Sequence, residues 1–522
     1  MQMDFRRSRP TRSLALSWLL MGLLAAGSGC AHAQPRPNLG NIYDEAAQAP
    51  DYLRNPVVVI PGVLGSRLVD DETGKIVWGK FDAFALLRRA SADTVAIALP
   101  MSEGVSLRRL RDNVRSDGTL AYLEIDLAGV PLEIQAYDQI LTTLGVGGYR
   151  DPEHPQAGQV EYGDDHFTCF QFDYDWRRDV AENAARLHEF LTARRHHIRE
   201  EYYRRYGIVN ADVKFDIVAH SMGGLVARYY LRYGPQPLPD DGSLPQLDWA
   251  GARNVARVVL VGTPNAGSAL AIHDLVRGHR PAPMLPEYPS AVLGTMPAIY
   301  QLLPRPRHGA LVDANDTGRK LDVYDPALWR DMQWGLADPK QDDVLQKLLP
   351  GVKDRAARLR IALDHQRKCL RKARQLHRAL DVPAAPPPGV TLHLFAGDAI
   401  ETPAVEAVDL QSGELHAVRS SPGDDSTTRT SAVMDERTGR SRGARLVSPI
   451  HWTSVMYLHT SHRGLTSDPI FADNVLALLL ESPPEPPALA SGMEGQTWGR
   501  FPNLPPTSSR VHGDAPNNKG RR

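Results

Sequence analysis

The chain has 522 residues, a formal net charge of −1 and a pI near 7.0, so it carries no basic surplus that would favour nucleic acid as a partner. Apolar residues make up 42% of the composition, which excludes a fibrous or wholly disordered chain. This length suffices for several domains or for one α/β unit with insertions.

The N-terminus has the pattern of a targeting segment. Several arginines precede an apolar run over residues 14–26 that is short for a membrane span. Ala31-His32-Ala33 fits a signal-peptidase site before Gln34, whereas Gly27-Ser28-Gly29-Cys30 resembles a lipobox in which Cys30 would be lipidated. We therefore predict a signal peptide over residues 1–33 and export from a bacterial cytoplasm, to the periplasm, to a lipid-anchored place in the envelope or to the medium.

After a polar lead-in over residues 34–55, apolar runs alternate with amphipathic stretches. The β-branched run Val57–Ile60 reads as a buried parallel strand. Similar strands are predicted at 167–172, 215–218, 257–261, 390–395 and 455–458. A long amphipathic helix is predicted from Val180, and a final helix from Pro469 to Leu480. This alternation predicts an α/β fold, a mostly parallel sheet with helices on both faces.

The alternation breaks between residues 264 and 389. We predict that this segment is a cap inserted between the N-terminal part (56–263) and the C-terminal part (390–481) of the core. Its basic helix, residues 353–380, could touch anionic lipids or could be solvated with Leu359, Leu363, Leu370 and Leu380 turned inward, and we favour the second interpretation. The Pro-rich tail over 482–522 is expected to be disordered.

The stretch from Lys214 to Leu231 contains the clearest candidate for a catalytic residue. An apolar strand ends at Ala219-His220-Ser221-Met222-Gly223, and helical spacing follows directly. Strand, sharp turn and helix with a serine at the apex are typical of the nucleophile elbow of an α/β-hydrolase. Small residues two positions before and after Ser221 allow strand and helix to approach closely. We predict that Ser221 is the nucleophile.

A serine hydroxyl needs a base and a carboxylate that orients the base, in the chain order Ser, acid, His in this fold. His462 follows the last predicted strand and is the favoured base, with its neighbour His459 as the alternative. For the acid, sequence position leaves open Asp398, which follows the 390–395 strand, and the Asp424-Asp425 pair further on.

An oxyanion hole needs two backbone N–H groups. One is expected from Met222, directly after the nucleophile. The other is expected from the loop Pro61-Gly62-Val63-Leu64-Gly65, with Val63 as the best candidate.

Several separated motifs together resemble the lecithin:cholesterol acyltransferase family, which includes lysosomal phospholipase and phospholipid:diacylglycerol acyltransferases. The resemblance extends from about Pro56 to Leu480. The motifs that carry it are Pro56–Ser66, Tyr174-Asp175-Trp176-Arg177, Ala219–Gly223, Gly262–Ser268, Gly423-Asp424-Asp425-Ser426 and the terminal histidine segment.

The resemblance implies that Asp424 is the catalytic acid, with Asp398 and Asp425 in reserve. It also implies a lid near residues 66–90 in which Trp78 takes the position of a lid tryptophan. No cysteine occurs near that lid, so the disulfide that closes it in animal members is not expected. Trp78, Asp175 and Trp176 are candidate substrate-binding residues.

These features predict a serine-dependent lipid esterase, a lipase or phospholipase A, that works through an acyl-enzyme and associates with a membrane surface. Transfer of the acyl group to an alcohol such as a sterol or glyceride is the alternative. A non-catalytic envelope binding protein on the same scaffold is a second alternative. No metal or organic cofactor is implied.

Two cysteines follow Cys30, and they lie far apart in the chain. Cys169 sits in a predicted strand and Cys369 in the basic helix. An exported protein would permit a disulfide between them, but we favour one buried thiol and one surface thiol.

Overall fold

The computed structural model describes residues 37–82, 92–127, 130–135, 137–153, 166–281, 285–437 and 446–481. The predicted signal peptide with Cys30, part of the predicted lid and the predicted disordered tail lie outside these ranges. No helix in the described ranges combines the length and the apolar character needed to cross a membrane.

The strands are named in chain order: β1 Val57–Ile60, β2 Ser66–Asp70, β3 Ile76–Trp78, β4 Lys80–Asp82, β5 Val114–Thr119, β6 Tyr122–Leu127, β7 Val130–Gln135, β8 Cys169–Gln171, β9 Phe215–His220, β10 Val255–Val261, β11 Leu311–Asp313, β12 Thr391–Gly397, β13 Ile400–Val408, β14 Leu415–Gly423 and β15 Ser454–Leu458.

The α-helices follow the same convention: α1 Leu39–Ile42, α2 Asp44–Gln48, α3 Ala92–Ala96, α4 Asp138–Val146, α5 Val180–Tyr206, α6 Met222–Tyr233, α7 Leu270–Arg277, α8 Ser290–Leu293, α9 Pro297–Tyr300, α10 Pro326–Asp331, α11 Asp342–Leu348, α12 Arg355–Leu380, α13 Arg429–Ala432 and α14 Pro469–Leu476.

Six parallel strands form the central sheet in the order β15-β12-β10-β9-β1-β8. Alternate residues of a strand face opposite sides of a sheet, and both sides are covered here. Val58 and Ile60 pack into one apolar cluster, while Val57 and Val59 pack into another with residues of α4 and α14. This double burial explains the unbroken apolar runs. The predicted α/β-hydrolase fold is confirmed.

The long helix α5 runs beside this sheet and has a defined beginning and end. The Asp179 carboxylate accepts a hydrogen bond from Ala181 N–H at the first turn, and Gly207 ends the helix in the left-handed conformation with φ 66°. Asp179 itself is buried, which matters for its titration.

Three small sheets surround the central one. β2 lies between β3 and β5, β6 lies between β4 and β7, and β13 lies between β11 and β14. The first two combine β2, β3 and β4, which lie in the region of the predicted lid, with β5, β6 and β7, which come after it in the chain. The third joins β11 of the predicted cap to the β13–β14 hairpin of the C-terminal part. The division of the chain into core, lid and cap stays a prediction.

Helix α12 corrects two expectations. Leu370 and Leu380 are buried as expected, but Leu359 is 39% exposed, so it is not turned inward. Cys169 and Cys369 are both buried and free, so the prediction of one surface thiol is wrong. The helix is enclosed because α9, α10 and α11 pack against it, and its buried polar groups such as His365 find hydrogen-bond partners there.

Candidate active site

Ser221 occupies a sharp turn between β9 and α6. Its backbone has φ 54° and ψ −125°, a conformation that few non-glycine residues adopt, and its N–H donates to Val261 O at 2.8 Å. A Cβ on Gly224 would lie 1.9 Å from Thr263 Oγ1, which accounts for a glycine at the start of the helix. The strained turn presents the serine hydroxyl at the carboxyl end of the sheet.

His462 follows β15 and contacts both Ser221 and Asp424 through its two ring nitrogens. Its Nε2 lies 2.9 Å from Ser221 Oγ, and its Nδ1 lies 2.9 Å from Asp424 Oδ2. The His462 N–H also donates to the Asp424 carbonyl at 2.7 Å. His459, the alternative base, is exposed and makes no recorded contact with Ser221 in the described part of the chain.

Asp424 directly follows β14 and is 1% exposed. Its Oδ1 accepts hydrogen bonds from the N–H groups of Ser426 and Thr427 at 3.1 and 2.6 Å, which leaves Oδ2 to face His462. A Cβ on Gly397 would lie 2.3 Å from Asp424 Cβ, so the end of β12 holds the aspartate closely.

The two reserve acids are placed elsewhere. Both carboxylate oxygens of Asp398 lie 3.0 Å from Arg429, and Asp425 is exposed with its Oδ1 accepting from Ser426 Oγ. Of the three candidates, Asp424 is the one that the fold brings to His462.

The loop of residues 61–65, here called the oxyanion loop, packs against the elbow. Met222 is the first residue of α6, so its N–H has no acceptor within the helix. Val63 N–H has no recorded hydrogen-bond acceptor among the described residues, and Val63 lines the cavity beside Ser221. Leu64 has φ 65°, and its carbonyl accepts from Trp78 Nε1 at 2.8 Å, which holds the loop in this strained form.

The predicted substrate-binding residues differ in their surroundings. Trp78 and Trp176 are both fully buried, line the cavity and meet edge to face with ring centroids 5.6 Å apart. Asp175 does not line the cavity. Its carboxylate accepts two hydrogen bonds at 2.8 Å from the Arg177 guanidinium, with which it forms a buried ion pair.

A cavity of about 480 Å³ opens at Ser221. The apolar side chains that line it are Leu64, Trp78, Leu120, Trp176, Leu270, Ala271, Leu293, Ile299 and Leu302. Its polar lining includes Asp274, which pairs with His279 at 3.0 Å, and Arg463. Such a cavity has room for an apolar chain beside Ser221 and for a polar group near its charged residues.

Two residues of the site have no counterpart in the sequence-based prediction. His220 immediately precedes the nucleophile, and Tyr137 comes from the segment before α4. Both are buried and both line the cavity. No group of three or more metal-ligating side chains suited to a metal ion occurs within the described ranges.

Fold and site together define an α/β-hydrolase. Residues 159–343 match the family described as lecithin:cholesterol acyltransferase. The predicted resemblance to that family is therefore confirmed over these residues. The matched segment contains Ser221 and ends before Asp424 and His462. It supports an enzyme that hydrolyses or transfers lipid esters.

No curated protein matches the chain in sequence. Among solved structures, the Tle4–Tli4 complex aligns with 16% identity and a TM-score of 0.47, over 82% of this chain and 98% of that chain. The mature lipase BlEst2 of Bacillus licheniformis aligns with 11% identity and a TM-score of 0.26, over 83% and 95%. Phospholipase PlaB of Legionella pneumophila aligns with 14% identity and a TM-score of 0.28, over 66% and 56%.

Proposed function

We propose that the chain is a serine-dependent lipid esterase of the lipase or phospholipase A type. The observation that carries the proposal is the continuous set of contacts from Ser221 Oγ through His462 to Asp424, at 2.9 Å each, at the end of an apolar cavity. A hydroxyl, an imidazole and a buried carboxylate in this order can generate a nucleophile at neutral pH.

In the first half of the reaction, Ser221 Oγ attacks the ester carbonyl carbon while His462 Nε2 takes the hydroxyl proton. Asp424 stabilises the imidazolium that forms, and the N–H groups of Val63 and Met222 donate to the tetrahedral oxyanion. The intermediate then collapses, the carbon–oxygen bond to the leaving alcohol breaks, and His462 returns the proton to that alcohol.

The acyl group is now esterified to Ser221. A water molecule attacks this ester, with His462 again as base, to give the free acid and the original serine. An alcohol in place of water would give a new ester, and the acyltransferase family match favours keeping this second candidate. The apolar cavity wall suits an acyl chain and restricts water near the serine.

Product analysis on the purified protein tests the proposal. A labelled phospholipid is supplied with and without a long-chain alcohol, and Ser221→Ala serves as the matched control. Free fatty acid from the wild type alone would support the hydrolase. A new ester formed in the presence of alcohol would favour transfer. Absence of any Ser221-dependent product from phospholipid or neutral glyceride would contradict both and favour a binding protein.

Export and membrane association are part of the proposal. They are supported by the arginine-led apolar segment at the N-terminus and by Cys30 in its lipobox-like sequence. Membrane fractionation of cells that express the wild type or Cys30→Ala tests the anchor. Release of the variant into the soluble envelope fraction is expected, whereas unchanged membrane association would contradict lipidation at Cys30.

A further inference from the structure

A row of three hydrogen bonds, two buried and one partly buried, joins the oxyanion loop to the backbone of His462. Tyr137 Oη accepts a hydrogen bond from Gly62 N–H at 2.7 Å and lies 2.9 Å from His220 Nδ1. His220 Nε2 lies 3.1 Å from the carbonyl oxygen of His462. The row therefore connects the loop that carries Val63 with the residue that carries the base.

The groups at the two ends of this row determine which atom donates and which accepts in each hydrogen bond. The His462 carbonyl can only accept, so His220 Nε2 must carry a proton and donate it. In the neutral ring His220 Nδ1 is then an acceptor, so the Tyr137 hydroxyl donates its hydrogen bond to this nitrogen. The tyrosine oxygen is left to accept from Gly62 N–H. A single arrangement satisfies all three contacts.

The surroundings keep that arrangement in place. Tyr137 and His220 are 7% and 9% exposed. Burial, with a smaller contribution from the nearby His462, lowers the pKa of His220 to about 3, so its ring stays neutral at physiological pH. The His220 and His462 rings are 4.8 Å apart, and a second positive charge there would oppose the imidazolium that the reaction needs.

We propose that Tyr137 and His220 are positioning residues that hold the oxyanion loop at a fixed distance from His462. The inference rests on the proposed function, because the two groups held together are the proposed oxyanion donor Val63 and the proposed base. The bond from Gly62 to Tyr137 also occupies one N–H of the loop and leaves the next one, Val63 N–H, for the substrate.

The physical reason for such a link is that both groups act in the same transition state. Proton transfer to His462 and charge development at the oxyanion occur together, so an error in their separation affects every turnover. Substrate binding in the apolar cavity does not depend on it. Loss of the link is therefore expected to lower kcat and to leave KM nearly unchanged.

The test compares Tyr137→Phe, His220→Leu and His220→Gln with Tyr149→Phe. The first two remove hydrogen bonds of the row, whereas a glutamine at 220 can still donate to the His462 carbonyl. Tyr149 is the matched control because it is buried in the same apolar cluster and its hydroxyl has no hydrogen-bond partner among the residues that the structure describes. Rates are normalised to serine that reacts with a fluorophosphonate, so misfolded protein is not counted.

We expect kcat to fall about 10- to 100-fold in Tyr137→Phe and His220→Leu. A partial recovery is expected in His220→Gln, and no change in Tyr149→Phe. Hydrogen–deuterium exchange is measured on the same proteins and requires no substrate. Faster exchange is expected in peptides that cover residues 57–66 and 459–466, in the first two variants alone.

The two readouts separate the possible failures. Normal kcat together with unchanged exchange in Tyr137→Phe would overturn the inference, as would an equal loss in Tyr149→Phe. A rise in KM at constant kcat would also overturn it, since that result indicates a role in substrate binding. If the wild type hydrolyses no ester, the proposed function fails, and the exchange data alone then decide whether the link exists.

Discussion

Gly223 passes so close to Pro61 that a Cβ on the glycine would lie 2.4 Å from the proline carbonyl oxygen. The contact joins the first turn of α6, where Met222 begins the helix, to the oxyanion loop. The two proposed oxyanion donors, Met222 and Val63, are thus held on elements that touch each other.

Gly223→Ala should therefore damage both stability and activity. The new methyl group meets backbone on two sides, because Ile60 O would lie 2.8 Å away, and backbone cannot move aside cheaply. We expect a loss of about 1–3 kcal/mol in the free energy of unfolding and a loss of esterase activity in the folded fraction. Urea denaturation measures the first. Gly351→Ala is the control, because a Cβ added at Gly351 would meet no atom within 4 Å. This variant should behave as the wild type.

The identity of the acid can be tested with three isosteric changes. Asp424→Asn keeps an oxygen for Ser426 and Thr427 N–H but loses the charge that faces His462. We expect kcat to fall by roughly 10⁴-fold. Asp398→Asn and Asp425→Asn should retain most activity, because neither carboxylate contacts His462. An equal loss in Asp398→Asn, measured on the same ester, would show that the acid is misassigned.

The cavity predicts a dependence on acyl length. Leu270 lines the cavity and is only partly buried, so a larger side chain can be accommodated there at the expense of the space for substrate. Leu270→Trp should lower kcat/KM for a long-chain p-nitrophenyl ester about 10-fold more than for a short-chain one. Leu359→Trp, at an exposed position outside the cavity, should leave the ratio unchanged.

Asp179 predicts a pH dependence of stability. Burial, with a smaller contribution from Glu182, raises its pKa from 3.8 to about 6. Between these values the folded protein binds more protons than the unfolded chain, so stability falls as pH rises from about 4 to about 6. Asparagine can still cap α5 and does not titrate. The free energy of unfolding of the wild type minus that of Asp179→Asn should therefore fall across this window and level off above it. Urea denaturation at several pH values measures this difference.

The burial of both cysteines predicts that their thiols are protected from alkylation in the folded protein. Cys169 and Cys369 are free and fully buried, and burial raises the pKa of both thiols. Thiolate is the reactive form, so iodoacetamide should modify neither residue in the folded protein and both after unfolding. Peptide mass mapping measures this. A Cys169–Cys369 disulfide in protein that was never reduced would contradict the expectation.

The sequence predicted the central sheet well because its strands are buried on both faces and so read as apolar runs. The elbow at Ser221 was predictable for a local reason, since strand, turn and helix are contiguous. The choice of Asp424 over Asp398 could not be made from position alone. It depends on the close approach of Gly397 to Asp424 and on the pairing of Asp398 with Arg429.

Other features of the structure could not be predicted because the local sequence contains no pattern that indicates them. Strand β14 is mostly exposed along its length, so its sequence has no apolar run that would predict a strand, although it pairs with β13. Tyr137 meets Gly62 from 75 positions along the chain, and nothing near it marks that contact. The enclosure of α12 was underestimated because polar side chains such as Arg358 and Gln366 are buried through hydrogen bonds that sequence periodicity does not reveal.

Ser221 and His462 touch although 241 positions separate them along the chain. During synthesis, the nucleophile is therefore made long before the group that activates it, and long-range contacts of this kind form late in folding. A partly made or truncated chain that ends before residue 462 would carry a serine with no base. The proposed catalytic set is therefore complete only once the segment after β15, with His462, is in place.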